Sequence, residues 1–205
     1  RRAAMEQATA EKLALLGDLS RFAKDPGAIR QWLVLSLPQG AFGGPILLDE
    51  EQLPDEARLR PRTHEPTRLG NHDRVWIPLH LEDYRLDLRK DIEAIYQPMA
   101  AYAVSYVLSD RDQSGLVLKV GSDYHAKLYL NQREIYRRVN PATVEPDRDT
   151  VTGIELKAGL NVLVFKVVKA DKDDKLPWGG SVRFTTADGS PVTGLTVTLD
   201  PDAKQ

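Results

Sequence analysis

Cysteine is absent from these 205 residues. That excludes thiol nucleophiles, disulfides and Cys-ligated zinc. No apolar run approaches the roughly 18 residues of a membrane span. Basic residues are not in excess: 28 Lys and Arg stand against 30 Asp and Glu, a formal net charge of −2. A surface for nucleic acid or an anionic membrane needs Lys and Arg gathered on one face, and nothing here points to one. No nucleophile elbow, phosphate-cradling glycine loop or His-Glu-x-x-His zinc motif is present. Internal repeats and low-complexity tracts are missing as well. The chain opens Arg1-Arg2 with no secretory leader pattern, and it is expected to be a piece of a longer protein.

What remains is ordinary globular composition, 41% hydrophobic and 28% charged, enough for a sizeable core. Residues 1–24 are rich in Ala, Leu, Glu, Lys and Gln and predict a helix. Met5, Ala8, Leu13, Leu16 and Leu19 give it a loose apolar stripe. Asp25-Pro26-Gly27 ends it. Two readings stand for this helix: packed on the domain, or the tail of a longer coiled stalk. After Gly27 the period becomes two. Trp32-Leu33-Val34-Leu35 predicts a buried strand. Residues 38–66 read as a long irregular connection with one short helical turn near Leu48–Leu53. Residues 74–81 read as an edge strand, because Pro78 interrupts them.

The second half alternates more plainly. Tyr102, Val104, Tyr106 and Leu108 share one face of a strand. Further strands are expected over residues 116–120, 126–130, 134–139 and 151–156, with a hairpin turn at Asn131-Gln132. Residues 161–168 are apolar on both faces, as in a central strand. Residues 181–186 and 195–199 complete the set. The expected fold is mainly β: an antiparallel β-sandwich or jelly roll of about eight to ten strands, occupying residues 28–205 behind an N-terminal helix and linker at 1–27.

Several constellations bear on chemistry. Gly70-Asn71-His72-Asp73 has the form of a metallophosphatase motif, but its companion motifs are missing or out of order. It reads as a turn before the Trp76 strand. Asp110, Asp112 and Ser114, with Gly115, match the first half of a calcium loop. The bidentate acid position holds Gly121, and a polar turn between strands explains the same residues. Trp178, beside an acidic loop at 171–174, could stack on a sugar or pack over the end of the sandwich.

The segments Trp32-Leu33-Val34-Leu35, Asp49–Arg62, Val120–Asp123, Ala126–Asn131, Glu134–Tyr136 and Asn161–Val168 together resemble a module of large planctomycete proteins. That module often follows serine/threonine protein kinase domains. The resemblance covers about residues 29–200 and implies a β-sandwich of galactose-binding or jelly-roll type. Gly121-Ser122-Asp123 is also similar to protective-antigen-type sugar-binding domains, in which paired Asp residues hold calcium and sugar. Tyr124 and His125 replace the second Asp and the Gly of that pattern, so only Asp123 and Asn131 match.

The reading is therefore a non-catalytic ligand-binding module. Asp123, Tyr124, Lys127, Asn131 and Trp178 are its candidate ligand-binding residues, and carbohydrate or protein is the expected partner. No cofactor is expected beyond a calcium at Asp110, Asp112 and Ser114. The alternative is an interaction module that self-associates through its N-terminal helix. An extracytoplasmic or cell-surface setting is expected.

Overall fold

Two stretches of this chain are apolar at nearly every position, and they form the middle of its larger sheet. A strand with both faces covered needs this pattern, because successive side chains point to opposite faces. In the computed structural model, residues 26–37, 46–88, 100–139, 145–169 and 178–204 are described. The helix expected over residues 1–24 lies outside them.

Strand β1 (Gln31–Ser36) leads to a short helix α1 (Ile46–Asp49) and a 3-10 turn (Glu56–Arg58). Next come β2 (Pro66–Leu69), β3 (His72–Val75), β4 (Ile77–His80) and β5 (Leu86–Asp87). The second half supplies β6 (Ala100–Ser109), β7 (Gln113–Ser122), β8 (His125–Leu130), β9 (Arg133–Arg138) and β10 (Asp149–Leu156). It ends with β11 (Gly159–Val168), β12 (Gly179–Thr185) and β13 (Leu195–Thr198).

The strands form an antiparallel sandwich. One sheet has seven strands in the order β4-β1-β6-β11-β8-β9, with β13 also paired to β6. The other has four, β10-β7-β12-β5. β11 is central as its composition predicts, pairing β6 on one side and β8 on the other. Between the sheets lies one core, containing Trp32, Val34, Leu118, Val120, Phe165 and Phe184. A second core sits on the outer face of the seven-stranded sheet, where Leu33, Leu35, Tyr102, Val104 and Tyr106 pack with Leu48, Leu53 and Trp76. β1 serves both cores, and all six of its residues are buried.

The local expectations hold at three turns and edges. Gly70-Asn71 joins β2 to β3 as a hairpin, with Gly70 at φ 58. Asn131 and Gln132 have φ 49 and 72, the doubly positive pattern of a two-residue hairpin, and join β8 to β9. Pro78 lies on β4, at one end of the seven-stranded order, where its missing N–H disrupts no ladder. The stretch read as one strand over 74–81 is two, β3 and β4, separated at Trp76. The helical turn expected near Leu48–Leu53 overlaps only the end of α1, and the 3-10 turn lies beyond it.

Candidate functional site

The outer face of the seven-stranded sheet carries a buried polar cluster. Residues 46–62 lie over this face as a strap. Asp55, at φ 54, directs the chain into the 3-10 turn, and Glu56 is 0% exposed. Its Oε1 accepts from Lys127 Nζ at 2.7 Å and Tyr129 Oη at 2.7 Å. Its Oε2 accepts from Lys166 Nζ at 2.8 Å and Tyr102 Oη at 2.5 Å. Lys166 Nζ also donates to the Glu50 carbonyl at 2.6 Å and to that of Leu48 at 3.4 Å.

Burial alone would raise the Glu56 pKa, but the bonds from Lys127, Lys166, Tyr102 and Tyr129 together hold it below its usual value. Burial lowers the pKa of Lys166 against the attraction of Glu56. Burial, then the bond to Glu56, pushes both tyrosines up. The cluster is closed to solvent and clamps the strap to the sheet.

Beside the strap the same face opens into a groove of about 810 Å³. Gln31 of β1 and Pro78 and His80 of β4 line one part of it; Gln31 pairs His80 and Leu33 pairs Pro78, so these side chains share the outer face. Leu108 of β6 and Thr196 and Thr198 of β13 line a second part. Arg62 at the end of the strap and Thr63 just after it, with residues 199–201, line the third. Arg62 is bonded to Asp202, and Arg60 donates to the Pro201 carbonyl, so the C-terminal turn is tied to the strap. The Tyr106 hydroxyl donates to the Pro61 carbonyl at 2.6 Å and anchors the strap between them. Apolar surface from Leu108, Pro78 and Leu199 thus lies beside neutral hydrogen-bonding groups from Gln31, Thr63 and Thr196, the composition of small-molecule sites generally.

None of the candidate ligand residues named from the sequence lines this groove. Asp123, Tyr124 and Trp178 lie together at one end of the sandwich, where Asp123 N donates to the Gly179 carbonyl at 3.2 Å, and Lys127 and Asn131 lie elsewhere. Asp123 is 4% exposed and pairs with Arg85 at 3.3 Å. Tyr124 belongs to the core between the sheets. Lys127 is held by Glu56 on the outer face. Asn131 sits at the far end of β8 from Asp123; its Oδ1 accepts from Val162 N at 2.9 Å and its Nδ2 donates to Asn161 Oδ1 at 2.8 Å. Trp178 is 2% exposed, within the inter-sheet core, with Lys169 Nζ 5.9 Å from its ring centre. Of the two readings of Trp178, packing over the sandwich end is the one realised, and its ring is not presented for stacking.

The residues expected to hold calcium have the following surroundings. Both carboxylate oxygens of Asp110 bond Arg111 at 2.9 Å. Asp112 accepts from Ala158 N at 2.8 Å, which caps the turn between β10 and β11. Ser114 lies within β7. The Asp110 and Asp112 carboxylates are engaged by neighbouring protein groups, and Ser114 is exposed. Among the described residues no group of three or more His, Asp or Glu is placed to hold a metal.

Neither a protein-family model nor a curated protein matches this chain. Its fold is similar to part of a family 2 glycosyl hydrolase from Bacteroides cellulosilyticus, with TM-score 0.45 and 10% identity over 78% of this chain and 20% of that one. It is similar to part of a GH2 β-galacturonidase from Eisenbergiella tayi, with TM-score 0.43 and 10% identity over 82% of this chain and 26% of that one. A family 35 carbohydrate-binding module from an environmental isolate matches with TM-score 0.34 and 18% identity, over 55% of this chain and 81% of that one. The chain thus spans about a quarter or less of the length of the two hydrolases. At these scores the likeness carries no functional assignment.

Proposed function

We propose that this chain is a non-catalytic ligand-binding module of a larger protein and that its ligand is a carbohydrate held in the outer-face groove. The observation that carries this reading is the groove itself, about 810 Å³ with an apolar wall and neutral polar rims. A sugar ring has apolar faces edged by hydroxyls and matches such a lining. Fold alone would not distinguish a binding module from an enzyme. The acidic side chains at the groove are Asp200 and, across its rim, Asp202, which is bonded to Arg62; this is not the facing pair of free carboxylates that glycoside hydrolysis uses. The reading goes with an extracytoplasmic or cell-surface setting, where polysaccharide is met. An association with kinase domains in planctomycete proteins rests on the sequence resemblance alone.

A glycan-array screen of the full chain tests the proposal. Thr196 is exposed on β13, so Thr196→Trp should fold normally and obstruct the groove. It is expected to weaken binding by at least about tenfold, a change of roughly 1.4 kcal/mol, while Arg85→Ala at the Asp123 end leaves binding unchanged. The reverse pattern would move the site to Asp123.

A further inference from the structure

The floor of the groove has a polar feature that the side chains alone do not reveal. Leu37 N donates to the Ala100 carbonyl, and Asp110 N donates to the Gly194 carbonyl. Even-numbered residues of β6 therefore direct their backbone groups toward β1 and β13, since alternate residues of a strand face opposite neighbours. Thr196 and Thr198, opposite Leu108 and Tyr106, bond inward to β6. Val197 between them directs its N–H and carbonyl away from β6, along the free edge of β13.

Two observations agree with this. The Val197 carbonyl accepts from Gln31 Nε2 at 3.4 Å. Val197 also lines the groove although its side chain lies in the inter-sheet core, so its backbone is what faces the groove. Among the described residues its N–H has no bonded partner, while the residue as a whole is 2% exposed. A donor so placed is available to an acceptor on a ligand in the groove.

The charged groups around the groove are engaged within the protein. Arg62 is engaged by Asp202, and Arg60 by the Pro201 carbonyl. Asp200 Oδ1 accepts from Asp202 N at 2.9 Å. Burial lowers the pKa of His80, which leaves a neutral imidazole near neutral pH. An anionic ligand would meet the Asp200 carboxylate in the lining, while Arg62, the guanidinium of the lining, is engaged by Asp202.

An added peptide strand fits less well than a sugar. It would need donor and acceptor together at the centre of the edge, and Gln31 already holds the Val197 carbonyl. The volume is near the upper end of the roughly 300–1,000 Å³ usual for ligand pockets, which suits more than one ring.

Building on the carbohydrate reading above, we infer that the groove selects an uncharged oligosaccharide and that the Val197 N–H donates to one of its oxygens. Amide-resolved NMR titration of the full chain tests this, with cello-, xylo- and mannohexaose as neutral probes and hexagalacturonate as the anionic one. At least one neutral probe is expected to move the Val197 amide, to bind equally at low and high salt, and to lose the effect in Thr196→Trp. Hexagalacturonate is expected to bind about tenfold or more weaker, since unlike the neutral probes it places carboxylates beside Asp200. Equal or tighter binding of hexagalacturonate would overturn the selectivity and leave the carbohydrate reading standing. Neutral binding that leaves the Val197 amide unmoved would overturn its role as donor. No binding by any of the four probes would overturn the selectivity and count against the carbohydrate reading too, and an apolar peptide that shifted the amides of residues 195–199 would then replace both.

Discussion

Replacing Glu56 by glutamine is expected to destabilise the fold by about 3–5 kcal/mol, the usual loss when one partner of a buried ion pair is removed. The side chain is isosteric but keeps one of two acceptor oxygens, so the loss combines the charge with hydrogen bonds that an amide NH2 cannot accept. Lys166 and Lys127, 0% and 3% exposed, would be left buried without their counter-ion. Urea unfolding followed by tryptophan fluorescence measures this directly. A loss within the roughly 0.5 kcal/mol typical of surface changes would show that the cluster does not clamp the strap.

A companion variant sharpens the test. Glu56→Leu combined with Lys127→Met and Lys166→Met removes all three charges together. It is expected to recover most of the loss, because apolar replacement of a whole buried ion cluster is often neutral. The acid limb follows the same logic. Glu56 has a folded pKa below its ordinary 4.5, so its stabilisation is complete above about that pH. It is lost as pH falls through the depressed folded value. Glu56→Gln should flatten this part of the acid-unfolding profile.

The strands of the second half were legible because most of them alternate or are apolar on both faces and their turns carry Gly, Asn or Asp. Pro78 marked an edge, since a proline cannot donate to a ladder. Asn131 marked a hairpin, since it tolerates positive φ. Glu56 was hidden because it lies in a Pro- and charge-rich stretch, where an acidic residue ordinarily meets water. A signal existed in its partners: Lys166 stands in a strand otherwise apolar on both faces, and such a lysine needs a buried anion. The groove was less legible still. Gln31 and Val197 are 166 positions apart, and only the shared pairing of β1 and β13 with β6 brings them together. Trp178 illustrates the opposite limit, because stacking and packing use the same residue type and only its burial separates them.

Phe165→Ala is expected to cost about 3–5 kcal/mol, the range for a buried aromatic. Phe165 is 0% exposed, and its ring centre lies 6.2 Å from that of Trp32. The size of the loss depends on how far the surroundings can collapse, and here the ring faces a residue with no side chain to move in. A Cβ on Gly180 would lie 2.6 and 2.7 Å from two ring atoms of Phe165 and 2.4 Å from the Gly121 carbonyl oxygen. Glycine at 180 is therefore what lets the ring of one sheet rest on the backbone of the other. Gly180→Ala alone is expected to cost about 1–3 kcal/mol or more through overpacking. In the double variant the new methyl enters space the ring has left. The two losses should then fall short of additive by roughly 0.5–3 kcal/mol, the range for residues in contact. A double-mutant cycle in urea reads this term. Strict additivity would mean that the clash with Gly121, which the double variant retains, sets the whole cost of the alanine and that the ring contributes nothing to it.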